Sequence, residues 1–163
     1  MDYVSVEMSA EIGRRLRARG KTVGTAESCT GGTIAATFTS VPGASDYFKG
    51  AVVAYTNEVK ERVLGVPHSV IEAQTAVCED VAVAMVRGAC RTLRCDYAVS
   101  VTGVAGPGGG TTDIPVGTIW IACGTAESVR TLCLHGDRGR TVNVTVATYK
   151  AIELLADYLD DEP

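Results

Sequence analysis

Two adjacent side chains in Ala26-Glu27-Ser28-Cys29-Thr30-Gly31-Gly32 could act as a nucleophile, the hydroxyl of Ser28 and the thiol of Cys29. A helical pattern begins directly after them at Thr33, which puts both on a strand-to-helix turn where the first backbone amides have no intrahelical acceptor. Such amides near Thr30, Gly31 and Gly32 can bind an anion or a developing oxyanion, and the two glycines let a substrate approach the main chain. The segment equally fits an N-cap followed by a packing glycine pair. A hydroxyl nucleophile requires a base, and neither His68 nor His135 stands in a motif that supplies one. Lys60 is the alternative, one helical turn beyond Asn57 in Tyr55-Thr56-Asn57-Glu58-Val59-Lys60, near the C-terminal end of an expected strand, where α/β sites form. It can serve as a base only if burial or a neighbouring positive charge, such as Arg62, lowers its pKa; otherwise it is a solvated helix lysine.

Two further segments could hold a phosphate or a ribose. Residues 102–112 carry five glycines in a loop after a strand, with Thr102, Gly103 and Gly106 at its start, and such backbone can wrap an anion. It is not the dinucleotide fingerprint, because the spacing fails and no helix follows directly. Arg138 in Gly136-Asp137-Arg138-Gly139-Arg140 opens the last helix and could grip a phosphate, or form a surface salt bridge. Gly20-Lys21-Thr22 is not the end of a P-loop: Arg15 occupies the position of the required first glycine, and the triplet precedes a strand.

Positioning these groups requires several elements. Apolar spacing predicts helices over about residues 5–19, 33–39, 57–64, 79–93 and 142–159. Strands are expected over about 22–26, 51–55 and 97–102, with an antiparallel hairpin formed by 116–123 and 129–134. The expected fold class is α/β, a three-layer α/β/α sandwich with a mixed sheet, in a single domain spanning residues 1–163.

The 46% hydrophobic content excludes disorder, and the aromatic share of 6% points to a core of small and β-branched side chains. A net charge of −4 argues against nucleic acid or an anionic membrane surface as partner. No apolar run approaches the roughly 18 residues of a membrane span, and residues 1–7 lack the pattern of a signal peptide, so a cytoplasmic location is expected. The six cysteines contain no CxxC pair and are expected as free, buried thiols. The histidines lack the spacing of zinc ligands, and Asn143-Val144-Thr145 matches a glycosylation sequon by chance.

Taken in order, these segments resemble the C-terminal domain family of the competence/damage-inducible protein CinA, whose stand-alone members are nicotinamide-nucleotide amidases. The resemblance runs through residues 26–32, Tyr55-Thr56-Asn57-Glu58-Val59-Lys60, Leu64-Gly65-Val66, residues 96–107, Pro115-Val116-Gly117-Thr118 and Gly136-Asp137-Arg138. It implies a three-layer α/β/α fold, often dimeric or higher. It implies hydrolysis of the carboxamide of nicotinamide mononucleotide to nicotinic acid mononucleotide and ammonia, without metal or other cofactor. Ser28 would be the nucleophile, Lys60 the base and Tyr55 an aid to proton movement. Cys29, Thr30, Gly31, Gly32, Asn57, Thr102, Gly103, Gly106 and Arg138 would line the substrate site. Cys78, Ile114 and Val142 depart from the family pattern, the last standing where a second arginine is common, with Arg140 nearest. A non-catalytic nucleotide-binding domain and an amidase for another small amide are the alternatives.

Overall fold

The computed structural model describes residues 3–162; Met1, Asp2 and Pro163, including the first two residues read above for a targeting signal, lie outside it. The opening helix α1 (Tyr3–Arg19) buries Ile12 and Leu16 completely and ends at Gly20 in the left-handed conformation (φ 62°). Strand β1 (Val23–Glu27) is buried at every residue and leads through the Ser28 turn into α2 (Thr33–Thr39). Strand β2 (Phe48–Val53) pairs in parallel with one side of β1, and α3 (Asn57–Leu64) and α4 (His68–Gln74) follow it. Helix α5 (Glu79–Leu93) returns the chain to β3 (Tyr97–Gly103), parallel to the other side of β1. Strands β4 (Ile119–Gly124) and β5 (Val129–Leu134) complete an antiparallel meander, and α6 (Arg140–Asp160) ends the fold.

The sheet order is β2-β1-β3-β4-β5, parallel over the first three strands and antiparallel beyond. The strand period of two divides the core into two halves. Val99, Val101, Ile119 and Ile121 face one way and pack with Ile12, Phe38, Ile152 and Leu155 of α1, α2 and α6. Ala26, Ala98 and Ala122 face the other way, against Val81, Ala82, Met85 and Val86 of α5 and Leu64 of α3. The expected mixed-sheet α/β/α sandwich is therefore present. The small side chains on the second face allow α5 to lie close. Gly88 extends this to the neighbouring helix, since a Cβ there would lie 2.0 Å from the Leu64 carbonyl oxygen.

Three expectations shift. β2 starts at Phe48, not near residue 51, because pairing with β1 begins at Val23↔Phe48, and it stops at Val53 so that the chain can turn into α3. β4 starts at Ile119, not Val116: Gly117 is left-handed (φ 89°) and Thr118 N–H donates to Pro115 O at 3.1 Å, which makes residues 115–118 a turn. α4 has no counterpart in the sequence reading; its seven residues bury only Ile71, too little apolar surface to give a periodic signal. No described helix is long and apolar enough to cross a membrane.

Candidate active site

The last residue of β1 and the first after it point to opposite faces of the sheet. Glu27 turns toward α2, where its carboxylate accepts from Gly32 N–H (3.0 Å), Ile34 N–H (3.1 Å) and Ala35 N–H (2.8 Å). The hydroxyls of Thr25 and Thr30 donate to it as well, at 3.1 and 2.8 Å. Glu27 is fully buried, so this set of donors replaces its water. The carboxylate thus occupies the helix start that sequence reasoning left open for a ligand.

Ser28 turns the other way. Its Oγ accepts from Lys60 Nζ at 2.9 Å, and the same ammonium donates to Ala54 O at 3.0 Å. Lys60 is only 2% exposed and has no carboxylate partner among the described residues. Burial holds its pKa below the ordinary 10.5. It is placed by α3, which begins at Thr56, whose side chain accepts from Val59 N–H, and ends at left-handed Gly65. The Cys29 thiol is 8% exposed, and burial pushes it up to about 11, so at neutral pH it remains protonated and a poor nucleophile.

Ser28 and Cys29 open into a cavity of about 290 Å³ shared with Tyr55, Gly103, Gly106, Gly108 and Arg140. Arg140 closes one side: its guanidinium donates to Gly106 O at 2.9 Å and to the Tyr55 hydroxyl at 2.9 Å. Among the described residues, the amide of Thr30 donates to no backbone carbonyl and to no side-chain oxygen, whereas Cys29 N–H interacts with its own Sγ. Both amides directly follow Ser28 in the chain. Among the described residues no cluster of three metal-ligating side chains occurs.

The CinA C-terminal domain model matches residues 5–159 of the sequence. The chain belongs to that family. Nicotinamide-nucleotide amidohydrolase PncC of Escherichia coli (strain K12) is 45% identical over 140 residues, 84% of this chain and 85% of that protein. A CinA-like protein of Mycolicibacterium paratuberculosis is 48% identical over 147 residues, 85% of this chain and 34% of that longer protein. The crystal structure of competence/damage inducible protein CihA from Agrobacterium tumefaciens matches with a TM-score of 0.92 at 36% identity, over 96% of both chains.

In this CinA-family chain, Ser28, Cys29, Tyr55, Gly103 and Gly106 line one cavity, and Lys60 reaches it through Ser28. Other residues taken as substrate contacts do not line it. Thr30 and Gly32 are bonded to Glu27, and Gly31 N–H donates to Ser28 O at 3.0 Å, so the expected donors at Gly31 and Gly32 are already used. Thr102 is buried and donates to Ala76 O at 2.7 Å, which ties β3 to the connection between α4 and α5. Asn57 is exposed on the first turn of α3. The Arg138 side chain is exposed, and its amide donates to Asn143 Oδ1 at 3.0 Å. Arg140, two residues on, occupies the place by the cavity. The Tyr55 hydroxyl, expected to move protons, bonds to Arg140 and not to Ser28 or Lys60.

Asn143 was read only as part of a chance sequon, yet it braces the cavity wall. Its Nδ2 donates to Ala105 O at 3.1 Å and to Asp137 Oδ1 at 3.0 Å, which joins the glycine loop to the segment before α6. An asparagine three residues into an amphipathic helix carries no local sign of that task. Glu27 was visible beside Ser28, but nothing in its spacing distinguishes a buried acceptor from an exposed charge.

Proposed function

We propose that this chain hydrolyses the carboxamide of nicotinamide mononucleotide, giving nicotinic acid mononucleotide and ammonia, in the recycling of pyridine nucleotides. The observation that carries the reading is the buried Lys60 ammonium 2.9 Å from the Ser28 hydroxyl at the floor of a cavity. The likeness to an enzyme named nicotinamide-nucleotide amidohydrolase supports the choice of substrate. In its neutral form Lys60 takes the Ser28 proton as Oγ attacks the amide carbon. The amides of Cys29 and Thr30 stabilise the oxyanion, the first turning from its own thiol to do so, in place of the donors expected at Gly31 and Gly32. Lys60 then returns the proton to the amide nitrogen and ammonia leaves. Water, deprotonated by Lys60, cleaves the acyl-enzyme and releases the acid.

Tyr55 and Arg140 stand at the mouth, where they hold the nucleotide. The guanidinium supplies the positive charge for the phosphate, and the glycine loop lies beside the ribose. The resemblance gives Tyr55 a part in proton movement; its bond to Arg140 favours a binding role. The deciding measurement is ammonia release from nicotinamide mononucleotide, its riboside and free nicotinamide, for wild type and Ser28→Ala. Turnover of the mononucleotide that Ser28→Ala abolishes is expected; full turnover by Ser28→Ala would overturn the serine mechanism, and equal turnover of all three amides the nucleotide assignment.

A further inference from the structure

The C-terminal end of α5 carries two cysteines that the chemistry above does not use. Arg94 there is in the left-handed conformation (φ 50°), and Cys95 N–H returns to Cys90 O at 3.2 Å. This six-to-one hydrogen bond is that of a Schellman turn, which brings the side chain three residues inside a helix end against the side chain two residues beyond it. Such a contact is ordinarily apolar. Here both positions are cysteine, and both side chains line one cavity. Their other contacts are weak ones: Cys95 Sγ to Ala89 O at 3.8 Å and Cys90 Sγ to Asp96 O at 4.0 Å.

The pair is nearly buried, at 7% and 8% exposure, but both residues line a cavity of about 630 Å³ whose rim includes Lys21, Arg87 and Arg91. That cavity lies where β1 and β3 begin, at the opposite end of the sheet from Ser28. A small reagent can therefore reach the thiols without entering the amidase cavity. Lys21 is paired there with Asp96, and Glu127 also lines the cavity, so Arg87 and Arg91 leave a small excess of positive charge that favours an anionic one.

We propose that Cys90 and Cys95 are a reversible dithiol–disulfide pair, a modification site for small anionic disulfides of the glutathione type. The Cys90 thiolate attacks one sulfur of the incoming disulfide, forming a mixed disulfide and displacing the first small thiolate, which takes up the proton that Cys90 lost. Cys95 then gives up its proton and attacks Cys90 Sγ, closing the intramolecular disulfide and releasing the second small thiol. The small disulfide is reduced by two electrons as the two cysteines are oxidised. Cys90 is the attacking group because the neighbouring Cys95 thiol holds its thiol below the ordinary value, while Cys90 in turn, with burial, pushes Cys95 up. Cys29 opens into its own cavity without a second cysteine in the lining, and burial pushes Cys123 up to about 12.

The test is incubation of the folded chain with glutathione disulfide without air, quenching with an alkylating agent, and peptide mapping. Trypsin cuts after Arg91 and Arg94, so a Cys90–Cys95 bond appears as two peptides joined through sulfur, with Cys123, which shares the Cys95 peptide, alkylated. The expected result is loss of both thiols, that joined pair, and recovery of both thiols with dithiothreitol. Cys95→Ser is expected to stop at a stable glutathione adduct on Cys90, and Cys90→Ser to leave Cys95 unmodified. Two free thiols at these positions in the wild type, or a separate adduct on each, would overturn the proposal. The wild-type map decides this whether or not either variant folds.

Discussion

Glu27 and Ser28 are consecutive, yet their side chains leave β1 on opposite faces, one into the start of α2 and the other to Lys60 of α3. The carboxylate ties the strand end to the helix, so the turn that carries Ser28 is fixed from behind. Replacing Glu27 with Gln puts an amide NH₂ among groups that themselves donate. The expected cost is about 3 kcal/mol of stability, the scale of lost hydrogen bonds to a charged group, read from urea unfolding. A drop in kcat with KM little changed should accompany it, because Ser28 would lose its place while the cavity mouth stays intact.

Ser28→Ala is expected to lower kcat by at least about a thousandfold, as loss of a covalent nucleophile does. Cys29→Ser keeps the backbone amide and removes only a protonated thiol, so it should cost less than about tenfold. Steady-state ammonia release from both variants checks the pair of expectations; the reverse ranking would make Cys29 the nucleophile.

Lys60 gives the pH dependence its sign. The reactive form is neutral, and burial lowers the pKa from 10.5, so kcat/KM should rise with pH through one ionisation below that value and then level off. Stability follows the same direction. Between the lowered native value and 10.5 the unfolded chain binds more protons at this site than the native one, so unfolding free energy from this group increases with pH across that window. Lys60→Met should abolish both effects, activity and the pH-linked stability increment, as read from rate profiles and from urea unfolding at several pH values.

Arg140 and Arg138 stand two residues apart, but only Arg140 lines the cavity. Arg140→Ala should raise KM for nicotinamide mononucleotide by roughly tenfold or more, the loss of one charge-assisted contact. Arg138→Ala should leave KM within about twofold. Tyr55→Phe, which removes the hydroxyl held by Arg140, should move KM more than kcat; a kcat loss as large as that of Lys60→Met would restore Tyr55 to proton transfer.

Gly88→Ala tests the approach of α5 to α3. An added methyl would meet the Leu64 carbonyl oxygen, and overpacking of this kind costs about 1–3 kcal/mol. A lower urea midpoint with an unchanged m-value is the expected signature.

Much of this arrangement was legible in the sequence because it lies in local patterns. The helical spacing of α5, the alternation in β3 and the turn after β1 each appear within a few residues, and the ordered motifs carried the family resemblance. What was hidden depends on pairings far along the chain. Arg140 meets Tyr55 across 85 residues, and Asn143 meets Ala105 across 38. The use of the α2 amides by Glu27 was hidden for a different reason: a helix start looks the same in sequence whether a ligand or a neighbouring carboxylate fills it. The early end of β2 and the late start of β4 came from register with β1 and from the turn at Gly117, which apolar content does not report.

The unequal faces of the sheet have a consequence for how this chain tolerates change over time. On the α5 side the fully buried strand positions are Ala26, Ala98 and Ala122, with almost nothing to trim and no room to grow, while Val52, Trp120 and Val129 pack half-buried around them. On the α6 side they carry Val99, Val101, Ile119 and Ile121, where shortening a side chain opens a void that neighbours can partly refill. Drift should therefore accumulate on the α6 side as exchanges among aliphatic residues, while the three alanines under α5 stay nearly frozen in size. The half of the core behind Lys60 is thus the conservative half, and the scaffold beneath α6 is where an engineer has freedom to redesign.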